Sequence, residues 1–246
     1  MLSKLCLNEA HKSLEAQNLN LQADNVKLQE ALQAAISVPP PLLPINEVEE
    51  RLNNKYPKVR IVYGGRCLWN EKSNYNMDIR TFLAENDYLL SDTAKVFTGS
   101  DDEKALKALN WIKLNITYVG DESLGKAEFW QFPIETMVRK KGDCEDGAML
   151  LHQLCLLSGI PYHKLRLTAG NTPNGGHAYL TYYYEEKDYW VCLDWCYYPN
   201  FLPISERVRY TEDKLYGDVW FSWNLKHSFA ESTKTAQNGL NNIKFL

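Results

Sequence analysis

The chain has no apolar run long enough to span a bilayer, so no membrane-crossing helix is expected. Its first residues carry one early lysine but no continuous apolar stretch of the kind that marks a cleaved secretion signal. Excess positive charge is also missing. With 27 Lys and Arg against 31 Asp and Glu, the net charge is −4, which offers no general affinity for nucleic acid or an anionic membrane surface. The six cysteines (Cys6, Cys67, Cys144, Cys155, Cys192 and Cys196) lack the density and regular spacing of a secreted disulfide scaffold, and a reducing cytoplasm is the expected location. Cys192 and Cys196 have no second short-spaced pair to complete a four-ligand zinc site, so they read as two small apolar strand residues. No calcium-loop pattern is visible, and neither a metal nor a cofactor is expected. Internal repeats are absent, and low complexity is confined to the proline run at Ser37–Pro44.

What is present divides the chain into three parts. Leu7, Leu14, Leu21 and Leu28 recur every seven residues, which predicts a coiled-coil helix over 1–36. His11, Asn18 and Asn25 then occupy the other seam position, where buried polar groups set register at a cost in stability. This helix is the expected route to a homo-oligomer or a larger assembly. A proline-rich spacer follows over 37–47, and the remainder, 48–246, is expected to be one α+β domain. With 45% hydrophobic and 12% aromatic residues, the chain can fill a good-sized core. The pattern predicts helices over 45–56, 78–89, 102–116 and 133–138, with an extended segment at 59–63 that Gly64 and Gly65 interrupt. Strands are predicted over 164–169, 177–184 and 189–196, with 118–125 and 170–176 as loops.

The densest chemistry lies in Gly142-Asp143-Cys144-Glu145-Asp146-Gly147-Ala148. A polar, turn-prone run precedes it and Met149, Leu150, Leu151 and Leu154 follow, so a helix is predicted to begin here and to end at Ser158-Gly159-Ile160-Pro161. Asp143 is placed to cap that helix, with Cys144 in its first turn, where the helix end favours thiolate. Glu145 and Asp146 are read as complementing the helix dipole. Two strands later come His177, after Gly175-Gly176, and Asp194, between Leu193 and Trp195. A thiol attacks a carbonyl as thiolate, an imidazole can take and return its proton, and a carboxylate on the far ring nitrogen fixes the tautomer. If Tyr184 pairs with Tyr189 across the intervening turn, His177 and Asp194 share one face of the hairpin; a slip of one residue separates them. Gln131 is a candidate oxyanion donor beside the backbone N–H of Cys144, and Trp130 either walls the cleft or fills core.

Phe129-Trp130-Gln131-Phe132-Pro133-Ile134-Glu135, the Gly-Asp-Cys-Glu-Asp box, Gly176-His177-Ala178 and the Asp194 strand resemble the transglutaminase-like superfamily, in particular its bacterial transglutaminase-like cysteine peptidase branch. The similarity covers roughly residues 105–203. Gly147 departs from the pattern, since a bulky residue usually follows the acidic pair, and it softens the first helical turn. The resemblance implies a papain-like domain, its Cys-bearing helix packed on an antiparallel sheet, with Cys144 as nucleophile, His177 as base and Asp194 as orienter. It implies acyl transfer from amide or peptide bonds, with a protein or peptide as substrate. The alternatives from other classes are a cross-linking transglutaminase and an assembly or virion protein that uses the fold for binding. Similar domains are frequent in phage genomes, which would make the chain virion-associated.

Overall fold

The computed structural model describes residues 47–67, 70–121, 129–197 and 202–243. The coiled coil expected over 1–36 and nearly all of the spacer lie outside them. Helix α1 spans Glu47–Asn54, and a hairpin of β1 (Val62–Cys67) and β2 (Asn70–Asp78) follows. The extended segment therefore begins later than the pattern predicts, and Gly64 and Gly65 continue it. Both are paired in the β1–β2 ladder, and at Gly65 the neighbours leave no room for a side chain, since a Cβ there would overlap the Tyr63 ring. The helix predicted over 78–89 is divided. A 3₁₀ turn at Ile79–Phe82 is capped by Asp78, and α2 at Tyr88–Ala94 is capped by Asp87, whose side chain accepts from Leu89 N and Leu90 N. Two aspartate caps within ten positions create two helix starts, which outweigh the apolar periodicity.

Helix α3, Asp101–Asn115, starts on a complete capping box between Ser100 and Glu103 and agrees with expectation. The short strands β3 (Thr117–Tyr118) and β4 (Phe129–Trp130) precede α4 (Pro133–Arg139), which has proline in its first turn, and β5 (Lys141–Gly142). Next comes α5, Cys144–Leu157, beginning and ending where the sequence indicates. A three-stranded sheet has the order β2-β1-β4, and β3 pairs with β5 in parallel. The antiparallel sheet contains β6 (Leu165–Thr172), β7 (Gly175–Tyr184), β8 (Tyr189–Leu193), β9 (Val219–Trp223) and β10 (Ser228–Phe229) in the order β10-β9-β6-β7-β8. Helix α6, Thr233–Leu240, closes the described chain.

Residues 170–176 form no loop. They are the end of the β6–β7 hairpin, with Thr172 opposite Gly175 across a two-residue turn. Gly170 and Gly176 mark close approach: a Cβ on either would strike the backbone of Asp218 or Asn242. Strand β8 ends at Leu193, before Asp194, and the chain turns over 195–197.

Helix α5 lies between two cores and is buried along most of its length. Leu150, Leu151, Leu154 and Cys155 join α2, α3 and the β7–β8 face, whereas Ala148 and Met149 join Trp130, Phe82, Phe221 and Trp223. Each fully buried Leu or Met contributes about 1.5–3 kcal/mol relative to exposure, so this helix is firmly anchored between the two cores. His152 is sealed within it; neither ring nitrogen has a partner, and burial lowers its pKa from 6.5 to about 3. The unfolded chain binds that proton near pH 6.5. This contribution to stability is therefore complete above that pH and is lost as pH falls toward the folded value. The stability gap between wild type and His152→Leu should change by roughly 2 kcal/mol between pH 7 and pH 5. Denaturant unfolding at both pH values measures it, and a gap independent of pH would refute the assignment.

Candidate active site

Cys144 is the first residue of α5 and is 3% exposed. Asp143 occupies the capping position, but its side chain makes no capping hydrogen bond. Burial, and then the adjacent Asp143 carboxyl, push the Cys144 thiol well above its ordinary value; the backbone N–H of Ala178 and the Glu145 side chain pull it down. The sulfur donates to Glu145 Oε2 at 3.1 Å. Glu145 therefore acts on the thiol itself and does more than complement the helix dipole. The Ala178 contact brings the sulfur to β7, beside His177.

The hairpin register is the one the sequence predicts. Tyr184 opposes Tyr189 and Leu180 opposes Leu193. His177 and Asp194 meet at the end of this ladder, Nε2 lying 2.7 Å from Oδ2, both residues fully buried. Asp194 Oδ2 also accepts from Tyr216 Oη at 2.9 Å, and Oδ1 accepts from the backbone N–H of Cys196 at 2.8 Å. The ring's other nitrogen, Nδ1, is buried without a partner. Tyr197 packs edge-on to the imidazole with centroids 4.7 Å apart. Cys144 comes to the same end of β7, but no hydrogen bond between its sulfur and the ring occurs among the described residues.

Two other sequence-derived candidates have different roles. Trp130 does not line a cleft. It stacks between Tyr63, at 4.7 Å, and Trp223, at 5.9 Å, because β4 pairs with β1 and turns this side chain into the aromatic core. Gln131 is 1% exposed and is held by Asp146: its backbone N–H donates to Oδ1 at 2.8 Å and its side-chain amide to Oδ2. Its amide thus braces β4 against the first turn of α5 instead of standing free as an oxyanion donor. Burial, followed by the charge of Asp143, raises the Asp146 pKa well above the usual carboxylate range.

The sequence reading missed three features. Tyr216, from the tail, steadies Asp194. Trp195 lies against Gly147 and donates from Nε1 to the Cys144 carbonyl at 3.1 Å. Gly147 therefore admits an indole, and the softening expected of it is offset by that contact. Finally, Asp121, Asp143 and Glu145 place ligand oxygens within 4.8 Å of one another, all three residues buried. Such an oxygen-only set suits a hard cation. No local spacing announces it, because Asp121 comes from a different loop.

Residues 86–194 match the sequence model of the bacterial transglutaminase-like cysteine proteinase family. The match runs from α2 to Asp194 and bears out the resemblance seen in the Gly-Asp-Cys-Glu-Asp box. The UPF0252 protein PH1321 of Pyrococcus horikoshii is 28% identical over 132 residues, covering 53% of this chain and 38% of that protein. The chain thus spans well under half the length of this curated relative. Among solved structures, LapG of Legionella pneumophila is similar at 21% identity and a TM-score of 0.47. One of its structures is matched over 59% of this chain and 74% of that chain. Another is matched over 62% and 80%.

Proposed function

We propose that this chain hydrolyses amide or peptide bonds through Cys144, His177 and Asp194. The observation that carries the reading is the state of His177: Asp194 holds Nε2, and Nδ1 is left unpartnered at the end of the sheet where the sulfur also lies. With the ring proton fixed on Nε2, Nδ1 keeps a lone pair and can act as base.

In the proposed cycle the thiol leaves Glu145 and passes its proton to Nδ1 as the sulfur–carbon bond forms. The oxyanion is stabilised at the helix start, where the backbone N–H of Cys144 is the candidate donor. Collapse breaks the carbon–nitrogen bond, and the ring proton goes to the departing amine. Water then attacks the thioester, giving its proton to Nδ1, and the acid leaves as the thiol is restored. An amine entering in place of water would make the same site a transglutaminase.

A second reading, a binding or assembly protein with an idle triad, is favoured by the burial of all three side chains. Alkylation separates the two. With iodoacetamide and peptide mapping near neutral pH, Cys144 should react faster than the equally buried Cys67, Cys155 and Cys192, and His177→Ala should slow that reaction by about tenfold or more. Equal reactivity of these thiols, or no effect of His177→Ala, would refute the enzyme.

A further inference from the structure

Cys196 has no place in the proposed cycle, yet it sits beside two of its members. The sequence suggests that Cys192 and Cys196 share a strand face, but the turn after β8 separates them. Cys192 is buried with Tyr179 and Tyr216 in a cluster of its own. Cys196 instead folds back so that its sulfur, a ring nitrogen of His177 and a carboxylate oxygen of Asp194 all lie within 4.8 Å of one another. Its backbone N–H is fixed on Asp194 Oδ1, so this placement follows from a built turn.

Imidazole nitrogen, thiolate sulfur and carboxylate oxygen form the donor set preferred by zinc. Zinc bonds of about 2.0–2.3 Å put tetrahedral ligand atoms about 3.3–3.8 Å apart. Reaching that geometry requires the pair 2.7 Å apart to open by about 1 Å, and the sulfur already lies within 4.8 Å of both partners. Cys196 is the one of the three with solvent exposure, which gives an ion a way in. His177 brings a nitrogen, Nδ1, that is buried and unsatisfied. The oxygen-only set of Asp121, Asp143 and Glu145 has the opposite preference, for hard cations.

We propose that His177, Asp194 and Cys196 bind Zn²⁺ and that the bound ion switches the site off. The binding claim is independent of the proposed function; the switching claim rests on it. On binding, the Cys196 thiol loses its proton to solvent, while the neutral imidazole loses none. If the metal takes Nδ1, the base lone pair is occupied. If it takes Nε2, the ring proton moves to Nδ1, with the same result. Either way the imidazole can no longer accept the Cys144 proton or return it to the leaving amine.

The full-length chain should be titrated with Zn²⁺ against a chromophoric chelator, and with Co²⁺ while thiolate-to-metal charge-transfer absorption is recorded. Wild type should bind one Zn²⁺ at this site and show the band. Cys196→Ser should bind at least about tenfold more weakly and lose it, whereas Cys144→Ser and Asp143→Asn should keep both. Thermal melts check that Cys196→Ser folds, and Cys196→Ala serves if it does not. Equal affinity in wild type and the Cys196 variants, or a band that survives in them and vanishes in Cys144→Ser, would overturn the site. Hydrolysis is assayed separately. A protein that binds Zn²⁺ at Cys196 but never hydrolyses peptides retains the metal site and loses the proposed function. Hydrolysis undiminished at full Zn²⁺ occupancy removes the switch.

Discussion

Asp194→Asn should lower peptide hydrolysis by about four orders of magnitude and leave the fold intact. The reason lies in where the proton must sit. Asp194 Oδ2 receives both the His177 ring, at 2.7 Å, and the Tyr216 hydroxyl, at 2.9 Å, while Oδ1 receives the Cys196 N–H. Oδ1 must remain an acceptor, because a backbone N–H can only donate. The asparagine amide nitrogen therefore takes the Oδ2 position. The Tyr216 hydroxyl can turn and accept, but Nε2 can accept only by giving up its proton. That proton then resides on Nδ1, the nitrogen that the proposed cycle uses as base. Volume and shape are unchanged, so melting temperature should hardly move while the rate collapses. Steady-state kinetics beside a thermal melt measures both, and hydrolysis within tenfold of wild type would show that Asp194 does not set the tautomer.

The second large effect concerns Gly147. Its Cα faces the Trp195 indole so closely that a Cβ there would overlap Cε2. Trp195 is 6% exposed, packs on Tyr118 at 5.7 Å and holds the Cys144 carbonyl. Gly147→Leu, which restores the bulky residue expected from the family pattern, should destabilise the domain by about 1–3 kcal/mol through overpacking. For a domain of this size the melting temperature falls by roughly 2–4 °C per kcal/mol. Trp195→Ala should cost about 3–5 kcal/mol. The two residues compete for one volume, so the double variant should be more stable than the sum predicts by about 1–2 kcal/mol. Additive losses in denaturant unfolding would mean that they do not share that space.

The features legible in the sequence were local or periodic. The start of α5 at Cys144 followed from the change between a polar, turn-prone run and an apolar one, and its end followed from Gly159 and Pro161. The β7–β8 register followed from period-two alternation on both sides of a short turn, and it was enough to bring His177 toward Asp194. Reading glycine as a breaker failed at Gly64, Gly65, Gly170 and Gly176. At Gly65 the Tyr63 ring fills the space, and at Gly170 and Gly176 a segment distant in sequence does, a condition the neighbours in sequence do not reveal. Asp143 occupies the capping position as expected, but its side chain makes no capping hydrogen bond. Its carboxyl belongs to a set completed from a distant loop.

By itself the sequence determined where the Cys144 helix begins and which strand face carries the His177 imidazole, since each depends on neighbours within a few positions. Tertiary structure alone decided the rest: Tyr216 on the carboxylate, Trp195 over Gly147, Glu145 on the thiol, Trp130 in the core and Cys196 beside the ring. These outcomes depend on which side chains from separated segments come to share a volume once water is excluded. Packing of that kind leaves no periodic trace along the chain.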